Sequence, residues 1–351
     1  MAIDPTASGN ELSLELPGAI PRSGPSEEPP PAGIGPYRLA LRRLRRNRAA
    51  LAFGALFLVI ALMCLAAPWY AKHVAHTGPN VNHITDTVKV GGKTENVVSI
   101  DGNPIGPTWQ GKFFLGADAN GRDIAVRLLY GGRNSLEIGL IATLITMILA
   151  TVIGTLAGYL RGPVDGVLSR VLDLIWAYPV VLLAVALGTS LALGGIDLGL
   201  FQLKGNSLLV PALIIGVVYI PYAAKPIRGQ VLSLREKEFI DAARAQGASA
   251  LRIMTTEVLP NLASTLIVFV PLIIANAILL EAGLSYLGAG VQDPNPSWGT
   301  MISNGIPRIS TALHLTLVPG IMLVLAVLGI NVFGDGVRDA LDPRAEVRIE
   351  H

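Results

Sequence analysis

The chain is poor in the residues from which soluble enzymes build their sites. Its 351 residues include one cysteine, Cys64, set inside an apolar run. That excludes a disulfide framework and a cysteine-based zinc site. Histidine occurs five times. His73, His76 and His83 share one polar stretch and can be read as metal ligands or as solvated loop residues, but their spacing matches no known ligand helix. His314 and His351 stand alone. There is no H-E-x-x-H helix and no G-x-S-x-G elbow. Charged residues make up 15% and aromatic residues 6% of the chain. With 51% hydrophobic residues, that is too apolar for a soluble protein. The net charge of +2 says little; the placement of the charges says more.

Residues 1–36 carry Pro17, Pro21, Pro25, Pro29, Pro30, Pro31 and Pro36 among Gly, Ser and Glu. Such a segment cannot bury enough apolar surface to offset its ordering entropy, so a disordered cytoplasmic tail is expected. A motif for a proline-reading partner is the alternative. The first apolar run begins too late for a secretory signal. Residues 37–68 read as a basic interfacial segment and a first span: Arg42, Arg43, Arg45, Arg46 and Arg48 precede the run Ala49–Pro68. An arginine cluster beside a span holds that end in the cytoplasm and can touch anionic lipid heads. With a span following directly, it is not a nucleic-acid site.

Residues 69–133 form an outer loop with a small β-rich insert. Strands are expected at Val88-Lys89-Val90 and Val97–Ile100, with turns at Gly91-Gly92 and Asp101–Pro104. Gly91-Gly92-Lys93-Thr94 is not a phosphate loop, because the position that needs the first glycine is Thr87. Residues 134–334 form a core of five further spans: Leu136–Leu160, Val171–Leu193, Leu208–Ala224, Leu262–Leu287 and Leu313–Phe333. Residues 335–351 form a cytoplasmic tail. Arg161 and Arg170 flank one connector, six basic residues populate the loop 225–261, and Arg338, Arg344 and Arg348 sit in the tail. The opposite connectors hold only Lys204 and Arg308. The positive-inside rule is met by six spans with both termini inside. The fold expected is an all-α membrane protein.

Glycines Gly139, Gly154, Gly158, Gly188, Gly216, Gly283 and Gly288 allow close helix packing in lipid. Glu137, Asp173, Asn276, Glu281 and Asn331 are polar residues in or at the ends of spans. A charge in hydrocarbon is costly, so these face the bundle interior, reach the interface or line a solute path.

Glu238–Asn261 is charged and helix-forming between two apolar runs. Ala243 and Gly247 are four apart, which puts them on one helical face beside Ala242. A face that small admits another backbone or a groove wall. Pro260 should stop or turn the helix. Asp241-Ala242-Ala243, then Gly247, then Leu259-Pro260 resembles the EAA motif of binding-protein-dependent ABC importers, with Asp241 in place of Glu and Glu257 at a position that is apolar or His in the family. Leu115-Gly116-Ala117-Asp118 through Gly121-Arg122-Asp123 and Arg127 to Leu136 resembles a signature of the dipeptide and oligopeptide permeases, with Ala117 and Val126 departing from it. Physically it reads as a polar cap at the membrane edge. Glu281–Gly288 with Pro296-Ser297-Trp298-Gly299, and Asn331 with Gly334–Arg344, resemble later family segments. Trp298 also suits an interfacial anchor.

The resemblance covers most of residues 37–344. It implies a type I ABC importer permease in the bacterial inner membrane, carrying di- and oligopeptides, with nickel chelates or saccharides as the alternative cargo. It implies a second permease of similar fold, two ATPase subunits or a fused pair, and an extracytoplasmic solute-binding protein. ATP and magnesium would be bound by those ATPases, since this chain has no motif that hydrolyses ATP. Asp241, Ala242, Ala243, Gly247, Leu259 and Pro260 would then dock in an ATPase groove. A passive channel or membrane anchor is the reading from another class. It would have no use for a groove-fitting helix.

Overall fold

The computed structural model describes residues 36–197 and 202–342. The expected tail up to residue 35, and Arg344 and Arg348, lie outside those residues. Helix α1 (Pro36–Arg46) carries the arginines, and Arg43 Nη1 donates to the Asp342 carbonyl at 3.0 Å. Helix α2 (Arg48–Leu65) starts at Asn47, whose side chain accepts from the Ala50 amide at 3.0 Å. It packs on the last helix, α13 (His314–Leu341), where Gly54 faces Phe333 and Gly329 faces Phe53 and Phe57. First and last spans are thus neighbours. Helix α3 (Ala67–His73) follows α2 directly and runs five residues into what the sequence reads as loop.

Helix α4 (Ile124–Leu160) is 37 residues long and central to the fold. Asp123 caps it by accepting from the Val126 amide at 3.1 Å. It begins twelve residues before the expected Leu136 because this cap, not the onset of the apolar run, sets its start. Helix α5 (Gly162–Trp176) and α6 (Val180–Gly194) meet at an 85° bend where one straight span was expected. Pro179 lies at the bend and disfavours helix at Tyr178. Strands β3 (Ile196–Asp197) and β4 (Gln202–Leu203) form a short hairpin. Helix α7 (Leu209–Val218) and α8 (Ile220–Leu234) run ten residues past the expected Ala224. Most of the expected loop 225–261 is therefore helical.

That region continues as α9 (Glu238–Ala245) and α10 (Ala250–Ile253), then a π-turn at Met254–Val258 and α11 (Leu259–Tyr286). Ala250–Tyr286 reads as one apolar stretch of 37 residues. Pro260 does not stop a helix. It stands in the first turn of α11, where its missing N–H has no intrahelical partner to lose. Helix α12 (Trp298–Gly305) and α13 complete the chain. The expected tail at 335 is still helix to Leu341. Among the described residues, five helices have the length and apolarity to cross a membrane, or six if the bent α5–α6 pair is one span.

Close approach explains several glycines. Gly154 and Gly158 of α4 lie against the Ala224 and Arg228 carbonyls of α8, and Gly139 lies against Ile278 of α11. Gly132 lies against Cys64 and Trp298. Gly283 and Gly288 face open space, so packing does not account for them. Trp298 is fully buried, and its Nε1 donates to the Leu128 carbonyl at 3.1 Å. It is a core residue rather than an interfacial anchor.

In the insert, β1 (Thr87–Val90) pairs antiparallel with β2 (Lys93–Asn96). Gly91 and Gly92 form the turn at φ +57° and +82°, conformations open to glycine. The second strand is not the expected Val97–Ile100, which holds only a bridge from Val98 to Pro104. The two-residue turn selects the residues directly after it.

Candidate coupling surface and solute cavity

Helix α9 has Glu238 and Asp241 in its first turn and Arg244 in its last, which matches the helix dipole. Arg244 Nη1 also meets Asp241 Oδ1 at 2.9 Å. The helix ends at Gln246, and Gly247 makes the bend at φ +78°. The turn expected at Pro260 is here. Gly247 is therefore off the helix, and the shared face with Ala243 does not form. Ala243 turns inward against the core, while Asp241, Ala242 and Gly247 stay exposed. Ser249 then caps α10, accepting from the Arg252 amide.

Beneath this loop lie Ile240, Ile253 and Val258, all buried, in one cluster with Leu172, Ile227, Val231 and Leu262. Burying each such side chain contributes about 1.5–3 kcal/mol. Above it, Leu251 is 68% exposed and Phe239 and Leu259 are each 39% exposed. Pro260 is exposed beside them. The loop is bolted from below and apolar on top. Sequence reading missed both layers: Met254 and Val258 at i and i+4 signal an inward stripe, but nothing in the sequence sorts Phe239 and Leu251 from core residues.

Ion pairs tie α8 and its end to α5 and the turn before it. Arg228 reaches Asp165 through Nε and Nη2 at 2.6 and 2.7 Å. Arg161 meets Glu236 at 2.7 Å. Lys225 meets Asp173 at 2.7 Å and lies 3.8 Å from the Trp176 ring centroid. Asp173 is thereby spent on a helix–helix contact.

The five polar span residues are not gathered in one place. Asn276 alone lines a cavity of about 390 Å³, with Val180, Tyr219, Tyr222, Phe269 and Gly283. The Tyr219 hydroxyl donates to the Asn276 carbonyl at 3.3 Å, and the Tyr219 and Tyr222 rings meet edge-on at 5.4 Å. Glu281 is fully buried elsewhere and accepts from the Ser285 hydroxyl at 2.7 Å. Glu137 is exposed on α4, and Asn331 is half-buried on α13. The tyrosines were invisible as a site because they lie 54 to 57 residues from Asn276 in the chain and meet it only through helix packing.

At the other end, the Asp118–Arg127 stretch forms a polar cap. Asp123 is buried and also accepts from the Phe113 amide at 2.6 Å. Burial pushes its carboxyl above the ordinary value, against the pull of the amides it accepts from. Asp118 meets Arg122 Nε at 2.7 Å. Arg127 is 2% exposed and its Nη1 donates to the Pro79 carbonyl at 2.9 Å and to Asn80 Oδ1 at 3.0 Å. The histidines of this side go separate ways. His83 sits between Thr77 Oγ1 and Asp86, each at 2.8 Å, while His73 stacks on Trp69. Among the described residues no three His, Cys, Asp or Glu converge on a metal position.

A family profile described as the binding-protein-dependent transport system inner membrane component matches residues 150–347, and one described as the N-terminal TM domain of oligopeptide transport permease C matches residues 35–83. The dipeptide transport system permease protein DppC of Alkalihalophilus pseudofirmus is 35% identical over 325 residues, covering 92% of this chain and 95% of its own. The glutathione transport system permease protein GsiD of Salmonella typhimurium is 35% identical over 309 residues, covering 88% and 91%. The di/tripeptide transport system permease protein DppC of Pseudomonas aeruginosa is 33% identical over 327 residues, covering 92% and 97%. Among solved structures, an inward-facing MetNI methionine ABC transporter aligns at 18% identity and a TM-score of 0.49, covering 62% of this chain and 96% of that one.

Proposed function

The chain belongs to the family of binding-protein-dependent transport system inner membrane components, and from that membership we propose that it is the permease subunit of an ATP-driven importer of di- and oligopeptides. The cargo class follows the names of the relatives, which carry dipeptides, di- and tripeptides or glutathione. Its termini and the α9 loop face the cytoplasm, where the arginines of α1 and of residues 225–252 collect. Two ATPase subunits or a fused pair supply hydrolysis with ATP and magnesium. A second permease completes the pore, and an extracytoplasmic solute-binding protein delivers the peptide.

The observation that carries the mechanism is the two-layered loop. Asp241, Ala242, Gly247, Leu259 and Pro260, with Phe239 and Leu251, offer an exposed surface, and Ile240, Ile253 and Val258 fasten it to the bundle. Ala243 serves the lower layer. Closure of the ATPases pushes on that surface, and the buried anchors pass the displacement to α8 and α11. The two states differ in whether the solute path opens outward, and only a nucleotide that binds them unequally shifts that balance. Along the path, Asn276 with Tyr219 and Tyr222 meets the peptide. Glu281, Asp173, Glu137 and Asn331 serve packing, pairing or the membrane surface.

The test is co-purification of the tagged chain in mild detergent, followed by ATPase and peptide-uptake assays. ATPase chains and a second permease should come down together, and a peptide-loaded binding protein should stimulate hydrolysis. Gly247→Asp should abolish uptake while the chain still assembles in the membrane. A chain that purifies alone and conducts ions would establish the channel reading instead.

A further inference from the structure

A second cavity, of about 400 Å³, lies at the polar cap between the start of α4 and the segment from α12 to α13. Arg122, Arg127 and Arg308 line it, against Asp118 and Asp293. Asp118 is engaged by Arg122 at 2.7 Å and stands 3.8 Å from Arg127 Nε. Two donors are left over. Arg127 is 2% exposed, and its buried Nη2 has no hydrogen-bond partner. The Arg308 side chain makes no ion pair or hydrogen bond among the described residues. A buried guanidinium N–H without a partner costs stability, so a fold that keeps one gains where a ligand completes it. The lining also holds Asn304. The Arg308 fork, the one open Nη2 of Arg127 and a neutral amide suit a planar anion with two acceptor oxygens, with Asp293 the opposing charge in the lining.

We propose that this cavity is a carboxylate-binding subsite on the outer face, with Arg308 as its mobile donor and Arg127 as its fixed one. The importer reading supplies two sources for the carboxylate: the C-terminus of an arriving peptide, or an acidic side chain of the docked binding protein. Both use the same chemistry.

The experiment uses the complete importer in nanodiscs. One arm follows thermal unfolding with trialanine and with trialanine amide, without binding protein. The other follows docking of the co-purifying binding protein, native or with its surface carboxyls amidated by carbodiimide and glycinamide. A rise in unfolding temperature from trialanine but not from its amide, lost in Arg308→Gln, assigns the solute carboxylate. Docking weakened about tenfold by amidation and equally by Arg308→Glu, with no further loss when the two are combined, assigns the binding protein. Arg308→Lys keeps the charge but not the two-pronged geometry, and should retain only part of the parental effect in either arm. Equal shifts from trialanine and its amide, together with parental docking by Arg308→Glu, overturn the subsite. In that case an importer that still hydrolyses ATP and takes up peptide keeps the transport reading intact. A chain without ATPase partners would sink that reading instead.

Discussion

The two polar ends of the bundle solve opposite problems. At the cap, charged groups are buried and, Arg127 Nη2 apart, answered by polar partners. Asp123 closes both the start of α4 and the Phe113 amide, and Arg127 holds the Pro79 carbonyl and Asn80. At the α9 loop, charges stay in water and the buried groups are apolar: Ile240, Ile253 and Val258. Buried polar contacts demand fixed geometry, because each unmade bond costs heavily. Apolar anchors are non-directional and tolerate small sliding. The cap is therefore held by directional contacts, and the loop by contacts that tolerate sliding.

That contrast fails if the cap can lose its polar contacts cheaply. Asp123→Ala orphans two buried amides and should lower stability by about 3 kcal/mol, read as a drop in the unfolding temperature of the purified chain. Asp123→Asn, which keeps an acceptor, should recover much of it. At the loop, layers should separate. Ile240→Ala should cost about 2–4 kcal/mol through the cavity it leaves. Leu251→Asp, on the outer layer, should change stability by less than about 0.5 kcal/mol. If the proposed docking holds, it should still cut peptide uptake about tenfold. Equal stability losses from the two variants would erase the distinction between layers.

The smallest expected effect concerns acid. The hydrogen bond from His83, and then the charges of His83 and Lys112, hold the Asp86 carboxyl below its ordinary value. The folded chain thus favours the anion more than the unfolded chain does. Its contribution is present at neutral pH and fades as the pH falls below the ordinary aspartate value of about 4, through the lower folded value. Hydrogen exchange around Thr77–Asp86 should quicken only in that window, and Asp86→Asn should remove the dependence. Equal protection on both sides of the window would show that the insert owes nothing to this pair.

How much of this was legible follows from which interactions are local. Asp241-Ala242-Ala243 and the glycine after them mark the loop because composition shifts there. The cap of α4 could be placed at Asp123, since an acidic residue before an apolar run is a local signal. The bend at Gly247 was misassigned to Pro260, because proline is compatible with both the end and the first turn of a helix, and only the hydrogen bonds around it decide. Pro179 carries a readable signal that the overall apolarity of residues 171–193 obscures. Trp298 suits a membrane surface on sequence alone, because hydropathy cannot tell a wet edge from a buried pocket next to Cys64. The cavity around Asn276 was out of reach, since three helices far apart in sequence assemble it.

The 37-residue stretch Ala250–Tyr286 has a mechanical consequence. At 1.5 Å per residue a helix that long measures about 55 Å, well beyond the hydrocarbon thickness of roughly 30 Å. One end lies within the loop, and Asn276 sits 26 residues along it. A rod of that length turns angle into travel. A tilt of about 5° about one end carries the other by about 5 Å and the position of Asn276 by about 3 Å. In the proposed mechanism, the length of this one helix sets how far its far end travels for each degree of tilt.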